Sequence, residues 1–558
     1  MLGARASSIA VGSPHSKRLA RIEAAVWKLA SNKRACIVSF ALIPVALRLA
    51  LLPWIPPPQP GIQDEFSYLL ASDTYASGRL TNPPHPFWVF FESTHVIQQP
   101  TYMSKYPPLT GLILAFGQRV FGHPWIGVLV SVGTLCGVMA WAMQNWMPPF
   151  WAFIGTTLAV LKIGILSYWS ESYWGGSGAA IGGTLLIGSL PGLIRRPTWR
   201  RGLPAAIGIA LLANSRPYEG LLLTLVCLCY AAWQIIRRAD APKAWFHNLM
   251  SGIGLPMIAV MIPIGSWMAF NNLRVTGDAL VMPYVAHDRQ YAAVSPFFWE
   301  QPKAVPVYRH EALRQVWVDW DLKKKTVQRK YFLLTRLLFL AFVQEFYLGI
   351  PLLILIVARA SAVAKSHRTR AAFWLAVLFL AGLSSELGFL PHYAAPATVL
   401  FYIVAAGALR SLRHWRPERA SMAQVVYGAS LVVIGVQLLT GAFRPEHRFL
   451  YDKRGFQVER ARILEFLNGI PGKQLIFVRY GPHHDLNDEW VYNRADIDRS
   501  KVVWARSIGR DKDLALISYF KDRRVWLLDE NGGARISSYG VGGHLTEKVS
   551  SAARSPGT

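Results

Sequence analysis

The chain has 558 residues, of which 52% are hydrophobic and only 16% are charged, and its formal net charge is +27. Soluble globular proteins carry about 25% charged residues, so this chain lacks the charges that a water-facing surface needs. Its repeated apolar segments approach the length of about 20 residues that crosses a bilayer. The composition therefore excludes a soluble enzyme, a disordered protein and a disulfide scaffold, and it predicts a polytopic membrane protein.

The excess of basic residues, 59 Lys and Arg against 32 Asp and Glu, is concentrated in short loops between apolar segments. Cytoplasmic loops of membrane proteins carry such an excess, and basic loops also suit an anionic lipid leaflet. The distribution therefore predicts topology and contact with the bilayer, and no nucleic-acid partner is expected. The basic loops lie at 195–201, 237–243, 359–370 and 410–419.

In chain order, the basic segment 1–34 predicts a cytoplasmic N-terminus. A transmembrane domain over 35–442 follows, for which the basic loops predict about eleven helices, an all-α fold and a C-terminus on the outer side. The stretch 108–121 is too short for a further span, and we expect an interfacial helix on the outer face there. The predicted spans lie near 35–54, 125–145, 149–168, 176–194, 203–214, 218–236, 250–270, 334–358, 371–390, 396–410 and 422–442.

Three longer segments face outward in this topology. Two of them, 55–124 and 271–333, are rich in Trp, Tyr, Phe and Pro and predict packed loops at the headgroup boundary. The third contains a predicted small α/β domain over 443–546, followed by a disordered tail over 547–558. The predicted elements of this domain are strands over 474–480, 501–505 and 524–528 and a helix over 513–520.

The first outer loop carries candidate catalytic groups near both of its ends. Asp64 and Glu65 follow the first apolar segment, and adjacent carboxylates at a membrane surface are costly unless they are solvated, paired or used. A partly desolvated carboxylate can serve as a general base, although acids are also favoured at a solvated helix start. Lys105, beside Tyr106 and Pro107–Pro108, either holds a lipid phosphate as a point charge or snorkels to the headgroups.

Further polar groups fall on the same outer side. Glu171 stands in an aromatic segment over 168–176, which either holds a sugar or forms part of an aromatic belt. Arg216 and Glu219 join two short spans, where broken helices usually line a cavity, although the two charges can also simply pair with each other. This convergence predicts a site that is open to the outer side and to lipid. The remaining candidates are Tyr68, Tyr218, Glu386, His392 and Tyr393.

One segment in the C-terminal part invites a metal interpretation, because His483–Asp485 is followed closely by Asp488 and Glu489. The spacing of these residues fits no strong ligand motif, so a solvated loop is favoured over a metal site. The sequence therefore leads us to expect neither a metal nor a cofactor.

These motifs resemble the GT-C superfamily of integral membrane glycosyltransferases, in particular a bacterial branch near the aminoarabinose transferase of lipid A and the protein O-mannosyltransferases. Asp64–Tyr68 is similar to the Asp-Glu-x-x-Tyr of the family's first outer loop, and Lys105–Leu109 to the Lys-Pro motif that closes it, with one inserted residue. Glu171 stands where the family has a second acid, more commonly Asp. His392–Pro396 resembles the family's His-Tyr-x-x-Pro, whereas Asn214–Pro217 keeps a positive charge but departs from its Thr-Lys-Gly motif.

The resemblance, which covers the predicted transmembrane domain, implies a sugar donor on a polyprenyl phosphate such as undecaprenyl phosphate, and a lipid, glycan or protein acceptor. It implies inverting transfer at the periplasmic face of a bacterial inner membrane, without a metal or cofactor. Asp64 would act as the general base, with Glu65 as the alternative because adjacent carboxylates titrate as a coupled pair. Lys105, assisted by Arg216, would stabilise the departing phosphate, and Glu171 would orient hydroxyl groups.

Two other classes of function compete with this interpretation. A transporter or flippase of a lipid-linked or sugar substrate would also need outward aromatic residues and buried charges, but it would normally show two related halves, which we do not detect. A non-catalytic scaffold would leave Asp64, Lys105 and Glu171 as unrelated coincidences. The glycosyltransferase is therefore favoured, and the substrate-binding residues that it implies are Tyr68, Lys105, Tyr106, Arg216, Tyr218, Glu219, His392 and Tyr393.

Overall fold

The computed structural model describes residues 24–238, 242–388, 390–413, 435, 455–481, 484–530 and 534–540. The predicted tail 547–558 and nearly all of the predicted span 422–442 lie outside these ranges. The same holds for most of the predicted cytoplasmic segment 1–34. The boundaries assigned to the predicted domains stay predictions.

The N-terminal half folds into helices that coincide with the predicted spans and with the predicted interfacial helix. Several of them begin at a proline, whose fixed φ angle and missing N–H suit the first position of a helix. The elements of this half are α1 (Lys33–Ala50), α2 (Gln63–Ala76), strands β1 (Val96–Ile97) and β2 (Met103–Ser104), α3 (Pro108–Phe121), α4 (Pro124–Trp146), α5 (Pro149–Ala159), α6 (Ser177–Arg195), α7 (Trp199–Ala213) and α8 (Pro217–Ile236).

The middle of the chain contains the second outer segment between two groups of apolar helices. A π-helical stretch, Gln315–Leu322, joins two helices of this outer segment and carries residues of the site described below. The helices are α9 (Pro242–Leu249), α10 (Leu255–Thr276), α11 (Pro283–Tyr291), α12 (Glu311–Arg314), α13 (Lys323–Lys330), α14 (Phe332–Tyr347), α15 (Gly349–Ala358), α16 (Ala360–Lys365), α17 (His367–Leu383) and α18 (Thr398–Arg413).

Within the described ranges, five helical segments are long and apolar enough to cross a membrane, or six if the bent pair α14 and α15 forms one span. This marks the chain as an integral membrane protein, while the count of about eleven spans stays a prediction. Other predicted spans, such as those at α5 and α7, form shorter helices. The five segments are Pro124–Trp146, Ser177–Arg195, Pro217–Ile236, Lys243–Thr276 and Pro391–Leu412.

Two predicted spans differ from the structure. The span expected at 334–358 is not continuous, because the chain bends by 102° between α14 and α15, where Gly349 has a φ of +70°. A left-handed backbone at this position ends a right-handed helix, and glycine adopts it without steric cost. The helix expected to reach residue 390 instead ends at Leu383, because the following backbone pairs with a neighbouring loop through Leu387 N–H and Pro296 O at 2.6 Å.

The C-terminal part folds as the predicted mixture of strands and helices. Its sheet has the order β4-β3-β5-β6, in which β3 pairs in parallel with β4 and β5, and β5 pairs antiparallel with β6. The three predicted strands and the predicted helix are confirmed, and β6 adds a strand that the sequence did not indicate. The elements are α19 (Gly455–Gly469), β3 (Lys473–Arg479), β4 (Val502–Arg506), α20 (Arg510–Tyr519), β5 (Arg523–Asp529) and β6 (Arg535–Ser538).

The C-terminal sheet shares a hydrophobic core with the first outer loop. Phe66 of α2 stacks on Tyr492 with ring centroids 4.6 Å apart, and the Arg460 guanidinium lies 4.4 Å from the Phe66 ring. The Tyr492 hydroxyl donates a hydrogen bond to Thr94 O, and the Tyr102 hydroxyl donates one to Asn493 O. These contacts fix α2, so its opposite face has a defined orientation for the site.

Candidate active site

A cavity of about 250 Å³ lies where α2, the start of α3 and the start of α8 meet the second outer segment and the loop before α18. Four basic and four acidic side chains line it, together with several aromatic rings. Seven of the predicted site residues are brought together here although long stretches of sequence separate them. They are Asp64, Lys105, Tyr106, Arg216, Glu386, His392 and Tyr393.

Asp64 is the carboxylate of α2 that faces the cavity. Its Oδ1 accepts a hydrogen bond from the Tyr106 hydroxyl. Burial raises the pKa of Asp64 above its ordinary range, and the Tyr106 hydrogen bond and the charges of Lys105 and Arg216 offset only part of that rise. A partly buried carboxylate with an elevated pKa and a fixed orientation is suited to accept a proton.

Lys105 lies between a carboxylate and two aromatic rings. Its Nζ is 3.8 Å from Asp288 Oδ1, 5.5 Å from the centre of the Tyr106 ring and 5.4 Å from the centre of the Trp317 ring. Burial alone would raise the pKa of Asp288, but the charge of Lys105 and the hydrogen bond with His287 lower it to about 2. Asp288 is therefore an ionised counter-ion that orients the ammonium group.

Arg216 enters the cavity immediately before α8. Its Nη1 is 3.2 Å from Glu219 Oε1, so the pairing considered from the sequence is present, and its guanidinium lies 4.7 Å from the centre of the Tyr393 ring. His392 is held by the Tyr168 hydroxyl, which is 3.0 Å from its Nδ1. Arg216 therefore lines the cavity as a cation whose direction is set by one acid and one ring.

Three other predicted substrate-binding residues lie behind the cavity surface. Tyr68 stacks on Tyr106 with ring centroids 4.4 Å apart. Glu219 is buried and holds Arg216, as described above. The Tyr218 hydroxyl bonds the Ser385 hydroxyl and lies 3.3 Å from Gly382 O. These side chains position the groups and loops that line the cavity.

Glu65, the predicted alternative base, faces away from the cavity. Its Oε2 accepts from the N–H groups of Gly61 at 2.8 Å and Ile62 at 3.2 Å, and its Oε1 accepts from Tyr173 N–H at 3.0 Å. Burial raises its pKa to about 7, although the three backbone hydrogen bonds lower it. The geometry therefore gives Glu65 a positioning role, in which it caps α2 and ties it to the loop before α6.

Glu171, predicted to orient hydroxyl groups, forms an ion pair outside the cavity lining. Its carboxylate bonds the Arg48 guanidinium through Nε and, at 2.8 Å, through Nη2. The same guanidinium donates to Ile55 O at 2.9 Å, so it joins the end of α1 to the first outer loop. Arg48 was not predicted from the sequence. It could have been noticed as a basic residue near the end of an apolar segment, because charges at such positions are usually paired.

The second outer segment supplies a wall of the cavity that no predicted site residue anticipated. This wall includes two lysines of α13 and residues of the π-helical stretch, and Lys325 Nζ is 3.1 Å from Asp321 Oδ2. Abundant aromatic residues and a run of three lysines were the available signals, but no motif links them to the first loop. The overlooked lining residues that matter below are His95, Asp288, Trp317, Lys324, Lys325 and Gln328.

The segment considered as a metal site lies in the C-terminal part. His483 falls outside the described residues, and His484 Nδ1 is 2.8 Å from Glu530 Oε2. In the part of the chain that the structure describes, no group of three or more His, Cys, Asp and Glu side chains is arranged to hold a metal ion.

No protein-family model and no curated protein matches the sequence. Among solved structures, the chain is similar to ArnT from Cupriavidus metallidurans bound to undecaprenyl phosphate, with 14% identity and a TM-score of 0.48 over 89% of this chain and 89% of ArnT. For ArnT in the apo state, the identity is 14% and the TM-score 0.49, over 91% of this chain and 93% of ArnT. The apo oligosaccharyltransferase of Archaeoglobus fulgidus is 12% identical with a TM-score of 0.48 over 80% of this chain, which spans 62% of that protein.

Proposed function

We propose that this integral membrane protein is a glycosyltransferase that moves a sugar from a polyprenyl-phosphate donor to a hydroxyl group of a lipid, glycan or protein. The transfer takes place at the periplasmic face of a bacterial inner membrane and inverts the anomeric centre. One observation carries the proposal. A partly buried carboxylate, Asp64, and two cations, Lys105 and Arg216, line one cavity although the first outer loop supplies Asp64 and Lys105 and the distant segment before α8 supplies Arg216.

Asp64 is the general base of the proposed reaction. The acceptor oxygen attacks the anomeric carbon, and its proton passes to the Asp64 carboxylate as the new carbon–oxygen bond forms. The Tyr106 hydroxyl donates to the same carboxylate and fixes its orientation toward the cavity. The elevated pKa of Asp64 matches this role because it increases the proton affinity of the carboxylate.

Lys105 and Arg216 bind the leaving group. The bond between the anomeric carbon and the phosphate oxygen breaks, and its electron pair stays on the polyprenyl phosphate. Two fixed cations in a partly desolvated cavity stabilise that developing charge more strongly than flexible surface lysines would. Asp288 and Glu219 hold them in place before the donor arrives.

Glu65 and Glu171 lie outside the cavity lining and hold in place the segments that carry the site. Glu65 caps the helix that carries Asp64, and Glu171 holds Arg48 at the start of the first outer loop. They are positioning residues in the proposal, so the base is assigned to Asp64 alone. The amphipathic α3, which follows Lys105, lies in the membrane interface beside the polyprenyl chain.

The test is a transfer assay with Asp64→Asn and Glu65→Gln. Undecaprenyl phosphate linked to labelled glucose, mannose, galactose or arabinose is incubated with the purified protein and a bacterial membrane extract as acceptor source. Asp64→Asn removes the base but keeps an oxygen that can accept from Tyr106, so we expect transfer to fall by at least about 10³-fold with an unchanged melting temperature.

Glu65→Gln places an amide N–H against backbone N–H donors, so we expect a lower melting temperature with transfer retained in the folded fraction. Full activity of Asp64→Asn would exclude the proposed mechanism. Loss of transfer in Glu65→Gln at an unchanged melting temperature would instead move the base to Glu65.

A further inference from the structure

The second outer segment places at the cavity a buried side-chain amide that has no hydrogen-bond partner among the described residues. Gln328 of α13 lines the cavity and is only 2% exposed, yet neither its Nε2 nor its Oε1 has a hydrogen-bond partner among the residues that the structure describes. Its backbone O is satisfied by the Thr335 hydroxyl at 3.2 Å. Buried amide side chains are nearly always hydrogen-bonded, so an orphaned one at a cavity wall points to a ligand that supplies the missing partners.

A second unpartnered donor lies on the same wall. Trp317 is 5% exposed and lines the cavity, and within the described part of the chain its indole Nε1 has no hydrogen-bond partner. The His95 ring meets the Trp317 ring edge-on at 5.8 Å, and the His95 Nδ1 is also buried without a partner in the described ranges. Tryptophan N–H groups usually find a partner when they are buried, so this wall offers several hydrogen-bonding positions at once.

Trp317 lies close to the proposed phosphate position, and Gln328 lines the same cavity. Lys105 Nζ is 5.4 Å from the centre of the Trp317 ring, and Lys105 is the cation that we assign to the donor phosphate. The sugar of a polyprenyl-phosphate donor is attached directly to that phosphate. A phosphate at Lys105 therefore brings its sugar within reach of the residues that surround Lys105.

We propose that Gln328 and Trp317 bind the hydroxyl groups of the donor sugar and determine which sugar is used. This assignment rests on the proposed glycosyltransferase function. The Gln328 amide both donates and accepts, which matches a sugar hydroxyl, and the Trp317 N–H adds one donor. A polyprenyl chain would leave all of these atoms unsatisfied, whereas an ionised phosphate, which only accepts, could bond Nε2 but would leave Oε1 of Gln328 without a donor.

The first experiment compares binding of bare undecaprenyl phosphate with binding of its glucose, mannose, galactose and arabinose conjugates to the full-length protein in nanodiscs. We expect at least one conjugate to bind about 10-fold or more tightly than undecaprenyl phosphate, since a site built to bond a hydroxyl discriminates strongly against a ligand without it. In Gln328→Leu this preference should disappear while the affinity for undecaprenyl phosphate stays unchanged. Trp317→Phe, which keeps a ring but removes the N–H, should weaken the preference in part.

The control is Gln315→Leu, an identical change in the preceding π-helical stretch, at a residue that does not line the cavity. It should leave the sugar preference intact. The melting temperature of Gln328→Leu separates a binding role from a structural one, because removing two unsatisfied buried polar atoms should leave it unchanged or raise it.

The assignment is overturned if Gln328→Leu keeps the wild-type preference, or if no conjugate binds wild type more tightly than undecaprenyl phosphate does. A wild-type protein that binds neither undecaprenyl phosphate nor any conjugate would instead refute the proposed function, on which the assignment rests. These results are distinguishable, because bare undecaprenyl phosphate reports on the phosphate position alone.

Discussion

Two walls of the cavity differ in how their polar groups are satisfied. The charged wall consists of Asp64, Lys105 and Arg216, and each of these groups is already held by a protein partner. The unpaired wall consists of Trp317 and Gln328, whose side-chain polar atoms have no hydrogen-bond partner among the described residues. The difference indicates that the charged wall serves catalysis and the unpaired wall serves ligand binding. Oriented charges can stabilise a reaction without reorganising, whereas buried polar groups without partners gain hydrogen bonds only when a ligand binds.

The same contrast extends to stability. Truncating Lys105 or Arg216 leaves an acidic partner without its cation, so both activity and stability respond. Removing the unpaired polar atoms, as in Gln328→Leu, leaves no buried partner unsatisfied, so selectivity responds and stability does not fall. The four predictions below test where this division holds.

Among these four changes, the largest expected effect is that of Lys105→Ala on donor use. Loss of a cation that stabilises the leaving phosphate should lower kcat/KM for the donor by about 10² to 10³-fold, in line with removal of other preorganised charge-stabilising groups. Transfer kinetics at varied donor and fixed acceptor concentrations measure it. The control is Lys323→Ala, whose side chain is 71% exposed. An equal loss in the two variants would contradict a specific role of Lys105 at the phosphate and would indicate that it only contacts lipid headgroups.

Glu171→Gln should mainly reduce stability. It leaves the buried Arg48 guanidinium without its carboxylate, and because the Glu171 side chain is 17% exposed we expect a cost near the lower limit for broken buried ion pairs, about 3 kcal/mol. Thermal unfolding in detergent measures the change, and Arg48→Met in a double-mutant cycle isolates the pairwise contribution. Lost transfer at an unchanged melting temperature would show that Glu171 belongs to the charged wall after all.

Acid should destabilise the cavity through His287, which contacts Asp288. Burial and the charge of Lys105 lower the pKa of His287 to about 4. Between the ordinary value of about 6.5 and that value, the unfolded chain binds a proton that the folded chain does not, so stability is full above pH 6.5 and falls as the pH falls toward 4. The contribution is at most about 3 kcal/mol.

Melting temperatures between pH 7 and pH 4 measure this loss, and His287→Phe should flatten the profile. His310, whose pKa burial and the charge of Arg506 also lower to about 4, titrates in the same window, so the difference between wild type and His287→Phe isolates His287. A profile that is unchanged by the substitution would contradict a neutral, buried His287 beside Lys105.

The smallest effect is expected for Tyr106→Phe. The substitution removes the hydroxyl that donates to Asp64 but keeps the ring that stacks on Tyr68, so the base loses orientation and not its chemistry. We expect kcat to fall by about 10-fold, equivalent to one neutral-to-charged hydrogen bond. The acidic limb of the pH–rate profile should also move to higher pH. The hydrogen bond from Tyr106 lowers the pKa of Asp64, so its loss raises that pKa. An unshifted limb would separate Tyr106 from the base.

Local sequence determined which segments are apolar helices and where the C-terminal strands begin. Hydropathy, proline positions and alternation act over a few residues, so they can be read without knowing the fold. This is why the strands near 474–480 and the break before Arg216 were predictable. The convergence of Asp64 and Lys105 on one site was also expected, because both lie in one loop.

Tertiary structure alone decided which of two adjacent carboxylates faces the cavity. Neighbouring residues on a helix point about 100° apart, and the packing of Phe66 against the C-terminal sheet turns Asp64 inward and Glu65 toward backbone N–H groups. It also placed Gln328 and Trp317 opposite the first loop, more than two hundred positions away in the chain. No local pattern encodes such contacts, because they depend on packing between distant segments and not on the period of any one of them.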